Sequence, residues 1–340
     1  MRILVLWTGL PPYLISTLQE MADQGLEIKL LHTKNQNNAP HKKVDLAETF
    51  GATNIEILSI SKIVQIAKEF NPDLVYVSGW HCKEFKKICR ALNSIPRLLF
   101  MDNQWRGTIK QYVGVLLRKM LVNRYFDYVV CPGERQKRFA NYLGYSLKDI
   151  FLGGYYADEK TYNLQVRTKR VRSFLFVGRL EKEKGLDVLL KAYKQYSLEV
   201  IDPWELKIVG VGSLREKVTQ SIEVSYMGFL EPKAIASLMQ QSKFLVLPSL
   251  FEPWGVVIHE ASLCGTPAIY SSTCGAGEFF SMNSKFMIEP NNVEDLKCKL
   301  IEAHELKESE YAEISNFVEK QAHSISASDL VSIFQTLLDV

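Results

Sequence analysis

Residues Ser249–Pro267, SLFEPWGVVIHEASLCGTP, follow the apolar run Phe244–Leu247 and carry a helical pattern, Val257–Cys264, after a Pro-Trp-Gly turn. A buried strand, a turn and a helix in that order form half of a parallel α/β unit. Glu252 and Glu260 stand eight residues apart on either side of the turn-to-helix junction. Two carboxylates so placed could face a ligand beyond the strand end. For either one alone, a solvated helix face or a structural salt bridge is the plain alternative.

The same alternation runs through the chain. In the first half the strand candidates are Ile3–Leu6, Ile28–Leu31, Ile55–Leu58, Leu74–Val77, Leu98–Met101 and Tyr128–Cys131, with helical stretches such as Cys82–Leu92 and Lys110–Asn123 between them. The pattern fades near Gly153-Gly-Tyr-Tyr-Ala157, and a polar segment, Gln165–Arg172, follows. It restarts at Phe174–Val177 and continues through Leu206–Val209, Val224–Met227, Phe244–Leu247, Ala268–Tyr270 and Phe286–Ile288. Helices are expected at Leu186–Tyr196, Leu214–Ser221, Pro232–Gln241 and Val293–His304, and the tail from Glu308 reads as two amphipathic helices. The fold class is α/β, with two doubly wound domains facing across a cleft, and ligands in such sheets sit beyond the carboxyl ends of the strands. The expected division is 1–155, a linker 156–172, 173–320, and a C-terminal helix 321–340 that could pack back on the first domain.

A chain of 340 residues is long enough for two such cores. With 47% hydrophobic and 23% charged residues the composition is that of a globular protein. The six cysteines show no CxxC or zinc spacing, so they are expected as reduced core residues in a cytoplasmic protein. The net charge of +3 conceals an asymmetry: His81 to Ala140 holds 13 Lys and Arg against 4 Asp and Glu. That excess points to an anionic partner, either nucleic acid or an anionic bilayer. No nucleic-acid module accompanies it.

Four loops in the second half leave strand candidates with suggestive residues. Gly178-Arg179-Leu-Glu-Lys-Glu-Lys184-Gly185 sets two cations beside a helix start, which suits a diphosphate, although Glu181 and Glu183 partly neutralise it. Val209-Gly-Val-Gly212 is a glycine turn without the third glycine of a dinucleotide fingerprint. Tyr226-Met-Gly228 ends a strand where backbone amides and a ring could meet a base. Gly255 would let the amides of Val256 and Val257 approach a ligand, and Glu260, on the apolar side of that helix, must find partners for its carboxylate.

Together, Gly178-Arg179…Lys184-Gly185, Val209–Gly212, Gly228 and Glu252…Glu260 with Gly265-Thr-Pro267 resemble the donor half of retaining GT-B glycosyltransferases of family 4 (group 1). The resemblance implies a sugar transfer from a nucleotide-diphosphate sugar to a saccharide or a polyprenyl-diphosphate-linked acceptor, in bacterial surface polysaccharide synthesis. It implies that Arg179 and Lys184 hold the diphosphate, Glu260 the ribose, and Glu252 the sugar, with no metal and no cofactor beyond the donor itself. Asp102 would face the donor sugar from the first domain, with Gly9, His81 and Asn103 on the acceptor side. Pro253 and Trp254 depart from the small residues usual there, and the indole would narrow the sugar pocket. A sugar-nucleotide epimerase and a non-catalytic binder are the alternatives.

The segment Ile109–Phe126, IKQYVGVLLRKMLVNRYF, reads as a core-facing helix with a charged outer face. Lys110, Arg118, Lys119 and Arg124 would supply a peripheral contact with the cytoplasmic face of an anionic membrane.

Overall fold

The computed structural model describes residues 1–33, 50–163, 169–221 and 223–338. Part of the polar segment expected as a linker, 164–168, lies outside the described residues. The chain divides into two compact units, Met1–Tyr156 with Ser326–Val340, and Ala157–Ile325.

The first unit is built on seven parallel strands: β1 (Arg2–Thr8), β2 (Glu27–Thr33), β3 (Thr53–Asn54), β4 (Leu74–Ser78), β5 (Arg97–Phe100), β6 (Tyr128–Cys131) and β7 (Ile150–Leu152). Their order is β3-β2-β1-β4-β5-β6-β7, so the direction of winding reverses between β1 and β4. Ile3 to Leu6 and Leu74 to Val77 are buried without interruption, the pattern of strands covered on both faces. Arg97 fastens β5 to the turn before β6. Its guanidinium donates to Asp127 from Nε at 2.9 Å and Nη2 at 2.6 Å, and to the Cys89 carbonyl at 3.2 Å.

Two strand expectations need correction here. The run Ile55–Leu58 is not a strand: pairing stops at Asn54, whose side chain caps the amide of Glu56 and starts a single 3-10 turn, Ile55–Ile57. β7 escaped the sequence reading because it is three residues long and stops just before Gly153.

The helix Ala327–Leu338 belongs to this first unit. It packs on the helix Pro12–Asp23, burying Leu330, Phe334 and Leu337 at helical spacing. The Phe334 ring meets that of Tyr76 edge-on at 5.5 Å.

The second unit carries six parallel strands: β8 (Val171–Val177), β9 (Glu205–Val209), β10 (Val224–Gly228), β11 (Ser242–Leu247), β12 (Ala268–Ser271) and β13 (Met287–Ile288). Their order, β10-β9-β8-β11-β12-β13, places the winding reversal between β8 and β11. Residues 157–162, expected in the linker, pack into this unit: His259 Nδ1 accepts the Ala157 amide at 3.1 Å, and the Cys264 thiol donates to the Tyr162 carbonyl at 3.0 Å. Five cysteines are buried and free; Cys298 is exposed, against the expectation of a core thiol, because it faces outward on the helix Val293–Glu305.

Candidate functional site

In the second unit the loops after β8 and β11 meet at the winding reversal. The Leu250 amide donates to the Glu183 carbonyl at 2.8 Å. Gly185, at φ 70°, lies so close to Pro248 that a Cβ there would stand 2.0 Å from its carbonyl oxygen. No other residue fits that approach without moving backbone. This stitching brings two of the expected site residues together: the Lys184 ammonium donates to Glu252 Oε2, and both side chains are mostly buried.

Arg179 stands in the same loop but turns to Glu183, 2.7 Å away, on the exposed side. Gly178 donates to the Val209 carbonyl at 3.1 Å, and Leu180 to the Val211 carbonyl at 2.9 Å, so the glycine turn after β9 is zipped to the loop after β8. The Glu181 carboxylate closes that joint by accepting from the Ser213 amide at 3.0 Å and hydroxyl at 2.6 Å. These hydrogen bonds hold its carboxyl below the usual range. Gly228 ends β10, with its carbonyl accepting from the Gly210 amide at 2.8 Å. The Tyr226 hydroxyl donates to the Gly210 carbonyl at 3.1 Å, which ties its ring to the turn.

Gly255, at φ 93°, precedes the helix Val256–Leu263, and no side chain caps that helix. The first-turn amides, those of Val256 and Val257 among them, have no carbonyl within the helix to bond. Glu260 lies a turn further on with different neighbours. Burial pushes its carboxyl up to about 7, Asp158 adds to the rise, and a hydrogen bond with the Tyr162 hydroxyl opposes it. His259 beside it is neutral: burial lowers the imidazole to about 4. Its Nδ1 accepts from Ala157, so Nε2 carries the proton toward the Ala322 carbonyl at 3.0 Å.

Trp254 lies under the turn. The indole is 5% exposed and packs over Gly275. The Trp254 carbonyl is held by the Cys274 thiol at 2.8 Å and the Ala276 amide at 2.9 Å. It therefore anchors the turn from beneath.

In the first unit a cavity of about 300 Å3 opens at the carboxyl ends of β1, β4 and β5, lined among others by Trp7, Tyr13, His81, Asp102, Asn103 and Tyr155. Asp102 Oδ2 accepts from the Tyr155 hydroxyl at 3.0 Å, and Oδ1 from Asn103 Nδ2 at 3.1 Å. The Tyr13 hydroxyl donates in turn to Tyr155 at 3.4 Å. Burial raises both phenols far above their ordinary range, so they keep their protons and act as donors. Gly9 is buried, with its amide on the Thr33 hydroxyl at 3.3 Å, while His81 is exposed at the cavity rim.

The family model for glycosyl transferases, group 1, matches residues 163–321. This stretch is a group 1 glycosyl transferase domain. With its two Rossmann-like units the chain has the GT-B fold. It is similar to an uncharacterised glycosyltransferase of Methanocaldococcus jannaschii, 29% identical over 62% of this chain and 58% of that one. It is 24% identical to the O-antigen chain mannosyltransferase B of Escherichia coli over 42% of this chain and 38% of that protein. The chain spans about half the length of the curated relatives it matches. The Anabaena protein HepE, crystallised with UDP, superposes over 100% of both chains with a TM-score of 0.76 at 19% identity.

The group 1 domain contains every donor-side residue singled out in the sequence. Of these, Lys184 and Glu252 are in direct contact, and Arg179 shares the loop of Lys184. Glu181 with Ser213 was missed; its signal was a serine directly after the glycine turn. Tyr13 and Tyr155 were also missed, since neither belongs to a motif. Tyr155 does sit in the stretch where the regular pattern breaks, which marks a chain leaving its sheet.

Proposed function

We propose that this protein is a retaining glycosyltransferase of family 4. It moves a sugar from a nucleotide-diphosphate sugar to a saccharide or lipid-linked acceptor, in surface polysaccharide synthesis on the cytoplasmic side of a membrane. The observation that carries this reading is the Lys184–Glu252 pair at the winding reversal of the second sheet, the place where doubly wound sheets bind ligands.

When the donor arrives, its diphosphate would take Lys184 from Glu252 and draw in Arg179 from Glu183. A departing diphosphate gains charge as the sugar becomes oxocarbenium-like. Fixed cations and the uncapped amides at Val256 and Val257 stabilise that charge without a metal. Released from Lys184, the Glu252 carboxylate faces the sugar and orients it. Glu260 accepts from the ribose hydroxyls. The acceptor, in the cavity beside Asp102, attacks from the face the diphosphate leaves, and a phosphate oxygen takes its proton. HepE was crystallised with UDP, which makes UDP the first nucleotide to try.

Thermal shift and isothermal titration with UDP and GDP, with and without EDTA, test this reading. A nucleoside diphosphate should raise Tm and bind equally in EDTA. No binding by either nucleotide overturns the reading.

A further inference from the structure

Residues 109–123 form a helix, Ile109–Leu116, that runs on through Leu117 and Arg118 into a wider turn, Lys119–Asn123. One face points inward. Gln111 Nε2 donates to the Gln104 carbonyl at 2.7 Å, Val115 packs on the core and Val122 is buried. Arg118 lies on this side too, donating to the Val115 carbonyl at 2.9 Å. The other face holds Ile109, Tyr112, Val113, Leu116, Met120 and Leu121, at the spacing of a core-facing stripe. All are exposed, Ile109 by 84% and Leu116 by 77%. The expected core-facing helix is thus inverted: the stripe is real, but the core is already filled by the narrower face.

The surroundings of this stripe select its partner. Arg106, Lys110, Lys119 and Arg124 are exposed around it, and no Asp or Glu stands between Asp102 and Asp127. At one edge the Trp105 ring lies 5.0 Å from both Tyr112 and Tyr142. Large apolar side chains flanked by cations, with tryptophan and tyrosine at the margin, match the boundary of an anionic bilayer. A second copy of the chain in a two-fold dimer would bring these cations against their own equivalents.

We propose that the face from Ile109 to Leu121 docks this protein on an anionic lipid bilayer. The Arg106 amide donates to Gln111 Oε1 at 2.8 Å, so the segment that carries Asp102 is tied directly to the docking helix. This rests on the proposed transfer only for the claim that the acceptor comes from the membrane; the docking itself is read without donor or acceptor.

The test is sedimentation of the full chain with vesicles of phosphatidylglycerol and phosphatidylcholine, against vesicles of phosphatidylcholine alone. The wild type should pellet with the anionic vesicles at low salt and be released by high salt. Leu116→Ser with Met120→Ser should bind them weaker by on the order of tenfold or more. Lys119→Gln with Arg124→Gln should lose most of the salt dependence. Both variants should keep the wild-type circular dichroism and nucleotide affinity, because the altered side chains are exposed. Three results overturn the proposal. One is a wild type that fails to pellet at low salt, and another an apolar variant that pellets as the wild type does. The third is a wild-type dimer that the apolar variant dissociates, which assigns the face to a second copy. Loss of nucleotide binding in Lys184→Ala bears on the transfer alone.

Discussion

Lys184 and Glu252, 68 residues apart, form an ion pair between the loops that leave β8 and β11. Each is the other's counter-charge in the free protein, and the two have different roles once a diphosphate is present. Lys184→Ala should therefore weaken nucleoside diphosphate binding by about 2 kcal/mol, the size of a charge-assisted hydrogen bond. Glu252→Gln should leave that affinity near or above wild type, because the competing carboxylate is gone, and lose turnover. Titration calorimetry on both variants, beside a turnover assay, checks this. Equal affinity in Lys184→Ala and wild type contradicts the diphosphate assignment.

His259 and Glu260 are displaced in opposite directions, and their effects on stability oppose each other. His259 titrates near 4 in the fold, against 6.5 for an ordinary imidazole. Its contribution is complete above 6.5 and is lost as pH falls toward 4. Glu260 titrates near 7 in the fold, against an ordinary 4.5. Its contribution is complete below 4.5 and is lost as pH rises through 7. Each displacement corresponds to at most about 3 kcal/mol, and less for Glu260, which keeps some solvent contact. Between 4.5 and 6.5 the two slopes cancel, so the Tm of the wild type should vary little there. Glu260→Gln should uncover the histidine slope, with Tm falling on acidification. It should also make the free protein more stable at pH 8 while weakening donor binding. Scanning calorimetry across this range reads all three effects.

Tyr155 donates its phenol proton to Asp102. Tyr155→Phe removes that bond together with the acceptor of the Tyr13 hydroxyl. It should cost about 1 kcal/mol of stability, spare nucleotide affinity and lower turnover, because the Asp102 carboxylate is no longer held by that donor. Asp102→Ala should likewise spare nucleotide affinity. A turnover assay beside a thermal melt separates a positioning role for Tyr155 from a purely structural one, which would lower Tm and leave kcat in place.

Phe334 is fully buried against Tyr76. Phe334→Ala should destabilise by about 3–5 kcal/mol. Limited proteolysis of this variant should open sites in residues 1–156, leaving the group 1 domain resistant.

Much of the fold is legible in the sequence because strands buried on both faces are short, continuous apolar runs. Phe174–Val177 and Leu74–Val77 needed nothing more. Ile55–Leu58 is as apolar except for Glu56, but Asn54 caps the following turn and decides the matter locally. The donor-side loops are legible because glycine and charge recur at strand ends. The remainder depends on direction, which periodicity does not contain. The stripe through Ile109, Tyr112 and Leu116 is the same whether it faces core or solvent, and Trp254 reads equally as a pocket wall or as a foundation. Tyr13 and Tyr155 come together only through the sheet, across 142 residues.

The last helix completes the unit that begins with β1, and this fixes an order of assembly. A ribosome delivers Met1–Tyr156 first, then all of Ala157–Ile325, and only afterwards the Phe334 side chain that closes over Tyr76. Of the two units, the one whose strands are synthesised earlier is thus the later to mature. Until its closing helix is made, its unfinished apolar surface stays open, and it is at this stage that the nascent polypeptide most needs a chaperone.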